Sequence, residues 1–86
     1  MTRFWFEFDR LALLPAGLSV GCGVTAWNEA TALELVRRRV FRGALLPPIV
    51  KRVPDIDIRE LDAGHVVPNM GNPAVAGIWF PLGYDG

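Results

Sequence analysis

The sequence predicts a single small α+β domain, one helix packed on a mostly antiparallel, bent sheet in the order β-β-α-β-(one helical turn)-β. Three observations point there. Residues 28–43, NEATALELVRRRVFRG, hold an amphipathic helix whose start and stop signals agree. RFWFEFD, residues 3–9, alternates strictly between apolar and polar or aromatic positions. Residues 17–26 alternate again, so two strands with matching oily faces precede a helix able to cover them.

Strand 3–9 places Phe4, Phe6 and Phe8 on one side and Arg3, Trp5, Glu7 and Asp9 on the other. Residues 10–16 form an apolar loop containing Pro15. Strand 17–26 sets Leu18, Val20, Cys22, Val24 and Ala26 opposite Ser19, Gly21, Gly23 and Thr25. Glycines weaken a strand interior, and Trp5 is the natural cover for Gly21 or Gly23.

Helix 28–42 gathers Ala30, Ala32, Leu33, Val36, Val40 and Phe41 on one half of its circumference at about 100° per residue. Thr31, Glu34, Arg38, Arg39 and Arg42 take the other half. Asn28 is a fitting N-cap, Glu29 suits the positive dipole end, and Gly43 suits the stop. Leu35 falls on the polar half. Arg37 intrudes on the apolar half, either snorkelling along the core edge or held there to meet a carboxylate or phosphate.

ALLPP, residues 44–48, is a stiff connector, because Pro-Pro cannot continue a helix. Strand 49–53 precedes Pro54 and belongs at a sheet edge. Asp57 with Glu60 resembles a capping box ahead of one helical turn over 58–63. Residues 65–74, HVVPNMGNPA, form a shaped loop. Strand 75–80 places Ile78 and Phe80 opposite Gly77 and Trp79, and residues 82–86 form a tail tacked down by Tyr84. Glycines 21, 23 and 77 as bend points leave an alternative architecture, a small partly open barrel of the Sm-like kind with an inserted helix.

With 86 residues the chain forms one domain, 1–86, burying about 60 to 65 per cent of its unfolded surface. Half of its residues are hydrophobic, an excess that suggests self-association. Zero net charge gives no overall electrostatic case for nucleic acid or an anionic membrane. Residues 11–27 carry no charge, but their prolines and glycines and their length, against the roughly 20 residues a span needs, exclude a membrane helix. Ser19 three before Cys22 and an acidic start argue against a lipoprotein signal. One cysteine without an internal partner fits the reducing cytoplasm.

No catalytic, metal or nucleotide motif stands out, and no cofactor or metal is expected. His65 with Asp62 three residues upstream is the obvious acid–base pair, with Asn69 and Asn72 nearby, yet side chains in such loops commonly satisfy their own backbone. Cys22 points into the core, where a thiol is an inert hydrophobe. Arg37, Arg38, Arg39, Arg42, Lys51 and Arg52 make a basic group that could meet an acidic partner, and outward-facing Trp5 or Trp79 could stack on bases. The same tryptophans, with arginine, are what interface centres favour. The reading is therefore a non-catalytic protein-interaction or self-association module using the outer sheet face or the edge at 49–53. Nucleic-acid binding is the first alternative and an enzyme using His65 and Asp62 the second.

Overall fold

The computed structural model describes residues 1–84; the last two positions of the expected tail, Asp85 and Gly86, lie outside the described residues. Four strands, β1 (Thr2–Phe8), β2 (Cys22–Ala26), β3 (Ile49–Val53) and β4 (Gly77–Phe80), form an antiparallel open sheet in the order β3-β1-β2-β4. One helix, α1 (Glu29–Arg39), packs on one face. The sheet is open, so the barrel alternative does not hold.

β1 takes a central position because both of its faces are apolar enough to be buried. Phe4 and Phe6 lie beside Val24 and Cys22 across the ladder, and with Phe8 they meet Ala32, Val36 and Val40 of α1. Phe6, Cys22, Val24, Ala32 and Val36 are fully buried. β3 lies at an edge, as Pro54 requires, paired with β1 through a bulge between Glu7 and Phe8.

Asn28 caps α1 by accepting the Thr31 N–H at 2.8 Å, and Glu29 pairs with Arg52 at 3.0 Å. The helix ends three residues earlier than its sequence pattern, at Arg39. The N–H groups of Val40 and Phe41 both turn to the Val36 carbonyl, and left-handed Arg42 and Gly43 reverse the chain, with the Gly43 N–H closing on the Arg37 carbonyl.

Two strands also differ from the sequence pattern. β2 starts at Cys22, because residues 17–21 form a turn entered through left-handed Gly17; Leu18 stays in the helix-side core while Val20 joins the far side. In β4 the pairing with β2 shifts between Gly23 and Val24, so Ile78 faces α1 and Phe80 turns away to join Trp79.

The larger correction concerns the face opposite α1. Trp5 and Trp79 lie on that face, as alternation requires, but are only 4 and 2 per cent exposed. The chain between β3 and β4 folds over them, and Ile56 and Val66 are buried against Trp5, Trp79 and Phe80, with Ile58, Leu61 and Met70 packed alongside. The expected helical turn over 58–63 is a short 3-10 turn, Ile58–Glu60, and a second, Val67–Asn69, lies in the loop. The fold thus has three layers: helix, sheet, and a non-repetitive cover with its own core.

Candidate functional site

Acid–base chemistry needs a positioned group sheltered from water, and the His65 neighbourhood supplies the position without the shelter. The His65 Nδ1 lies 2.9 Å from Asp62 Oδ2. The other Asp62 oxygen accepts the backbone N–H groups of Gly64 and His65, and Asn69 donates to the His65 carbonyl. Asn72, further along, accepts the Ala74 N–H. These side chains shape their own loop. The His65 hydrogen bond, then that from Gly64, holds the Asp62 carboxyl below its ordinary range. The His65 side chain is 77 per cent exposed, so nothing excludes water from it.

Cys22 is fully buried, and burial alone pushes its thiol up to about 12. Among the described residues no three His, Cys, Asp or Glu side chains form a group that could hold a metal ion.

The six basic residues do not form one surface. Arg37 is clamped to both oxygens of Glu34, at 2.9 and 2.6 Å, and donates at 2.8 Å to the Gly43 carbonyl, so it secures the end of its own helix. Arg52 lies on the helix side with Glu29, while its neighbour Lys51 lies on the opposite face, 3.8 Å from Glu7. Asp57 and Asp62 are occupied by Arg59 and His65 and do not neutralise the helix arginines. Arg38, Arg39 and Arg42 remain exposed at the helix end. Because Trp5 and Trp79 are covered, neither offers an open ring face on which a base could stack or a protein partner could dock.

What the chain does leave open is three leucines carried on the two loops at one end. Leu11, Leu13 and Leu45 are 95, 99 and 92 per cent exposed. The loop after β1 and the connector before β3 meet at this end, where the Asp9 N–H donates to the Pro48 carbonyl. Leu13 shares a shallow groove with Phe41 and Arg42, and the Ala44 N–H ties Leu45's segment to the Phe41 carbonyl. Asp9 and Arg42 put both charge signs at this end. Sequence reasoning passed over these leucines, whose only signal was a high apolar content in two loops. At the opposite end of β1 and β2, Met1 and Trp27 are also exposed.

A second open feature is a cleft of about 420 Å³ between the sheet and its cover. Trp5, Val20, Val53, Ile56, Leu61 and Val66 line its depth. Its rim carries Glu7, Arg10 and Lys51 on the strand side and Glu60 and Asp62 on the cover side. Arg10 and Glu60 had no signal in the sequence, since the cover's path brings them into range.

No helix among the described residues is long and apolar enough to cross a membrane. Comparison with protein-family models, with curated proteins and with solved structures finds no match to this chain.

Proposed function

We propose that this chain is a non-catalytic self-association module whose contact surface is the leucine-bearing end of the fold. The observation that carries the reading is the near-complete exposure of Leu11, Leu13 and Leu45 in a domain that covers Trp5 and Trp79. Burying a leucine is worth roughly 1.5–3 kcal/mol, so six across a two-fold contact offer roughly 9–18 kcal/mol gross. Association costs about 4–15 kcal/mol, so the leucines supply a gross gain of the size needed to offset it. A two-fold contact presents the same patch from both sides, and a patch bearing Asp9 and Arg42 can pair its own charges across the axis. A second copy therefore fits better than a partner of one charge sign. A cytoplasmic setting, where Cys22 stays reduced, belongs to the same reading.

The nucleic-acid alternative now rests on the exposed arginines at the helix end, Arg38 and Arg42 among them, and the enzyme alternative on an open His65–Asp62 pair. Sedimentation equilibrium tests the proposal. Wild type should rise toward dimer mass with concentration, and Leu13→Asp should remain monomeric with an unchanged circular-dichroism spectrum. A wild type that stays monomeric into the high micromolar range, or a Leu13→Asp variant that dimerises equally well, overturns it.

A further inference from the structure

The cleft between the sheet and its cover has features the leucine end lacks: depth, an apolar floor and charged groups with unused bonding capacity. Its volume of about 420 Å³ lies within the range of about 300–1,000 Å³ that small-molecule sites occupy. Not every rim group is available. Glu7 accepts the Trp5 indole N–H at 3.0 Å and faces Lys51, and Asp62 is committed to the Gly64–His65 loop.

Three groups keep capacity. Among the described residues Arg10 donates through its Nε–H alone, to the Ser19 carbonyl, which leaves its terminal N–H groups. Lys51 has one long ion pair and three donors. The Glu60 carboxylate has no hydrogen-bond partner among the described residues and feels Arg59 only through space. Arg10 and Lys51 come from the strand side and Glu60 from the cover, and Val20, Val53 and Leu61 line the same cleft.

We infer that this cleft binds a small dipolar ligand bearing a carboxylate and an ammonium group beside an aliphatic chain, the chemical class of free aliphatic α-amino acids. The carboxylate meets Arg10 and Lys51, the ammonium meets Glu60, and the side chain displaces water from the apolar floor. The site lies away from the leucine end and does not depend on self-association.

Titration of ¹⁵N-labelled protein with L-leucine, N-acetyl-L-leucine and L-leucinamide tests the inference, read at the indole N–H resonance of Trp5. Leucine should give a saturable shift, and each blocked form should bind at least about tenfold more weakly, having lost one charge-assisted contact. Glu60→Gln should weaken leucine by a similar factor while leaving N-acetyl-leucine unchanged; Lys51→Met should weaken leucine and leave leucinamide unchanged. Both positions are exposed, so the remaining spectrum reports an intact fold. The absence of a saturable shift with leucine overturns the inference. So does a blocked form that binds as well as leucine, which would mark the cleft as a filler of apolar space only.

Discussion

The indole of Trp79 lies where a side chain on Gly23 would stand: a Cβ added to that glycine would overlap its six-membered ring. Trp5 stands in the same relation to Gly21, whose φ of +149° also disfavours any side chain. Gly21, just before β2, and Gly23 within it are thus seats for two indoles, which stack with centroids 6.0 Å apart. Gly23→Ala must displace a ring that is itself buried. Overpacking of this kind costs typically about 1–3 kcal/mol. For a domain of this size each kcal/mol moves Tm by about 4–8 °C. Calorimetry should show a fall of about 4–24 °C, and an unchanged Tm would mean the ring has room to move.

Thr25 holds the cover to the sheet. Its hydroxyl, on a buried residue, donates to the Pro73 carbonyl at 2.6 Å and accepts the Trp79 indole N–H at 3.1 Å. Thr25→Val keeps the shape and leaves a buried donor and acceptor unpaired, costing about 1–3 kcal/mol. Hydrogen exchange should quicken at the Gly71 amide, which bonds the Trp79 carbonyl, more than at the amides of α1. Equal protection in wild type and variant would show that the cover does not rely on this hydroxyl.

The cover also carries an acid-sensitive link. The side-chain hydrogen bonds of Arg59, then its backbone N–H, hold the Asp57 carboxyl at about 2 instead of its ordinary 3.8. A depressed carboxyl contributes stability that is present above its unfolded value and is lost as pH falls through the folded one, here between about pH 4 and pH 2. Asp57→Asn retains an acceptor for the Arg59 N–H and removes the charge. Urea midpoints measured across that window should fall less steeply in the variant than in wild type. The difference is small, because both groups are open to water. Parallel curves would exclude this pair as a source of acid sensitivity.

Cys22 is predicted to be inert in the native state. With its thiol fully buried and pushed up to about 12, essentially no thiolate forms near neutral pH. A disulfide reagent should react stoichiometrically in guanidinium and, in native buffer, only as fast as the chain opens. Rapid native reaction would contradict the placement of β2.

Much of the fold was legible in the sequence because it rests on regular periods. Alternation placed Phe4, Phe6 and Phe8 under the helix, Asn28 marked where α1 starts, and Pro54 marked β3 as an edge. The cover was not legible. Its apolar residues, Ile56, Ile58, Leu61, Val66 and Met70, follow neither a two-residue nor a helical period, so nothing local announced that they share a face. The tryptophans consequently read as surface. The register shift in β4 that turns Phe80 toward Trp79 arises from pairing, which no single strand reveals. The candidate sites were missed for the same reason, since the leucine end and the cleft are each assembled from loops distant in sequence.

The claim on which the choice of surface depends is that the far side of the sheet is a closed core, and tryptophan fluorescence tests it most directly. Trp27 is 75 per cent exposed and would mask the other two, so Trp27→Phe is the protein to measure. Its remaining emission, from Trp5 and Trp79, should be blue-shifted and resist acrylamide until the chain is unfolded. Red-shifted emission that acrylamide quenches freely in the native state would mean the cover does not close, and would return the tryptophans to the surface.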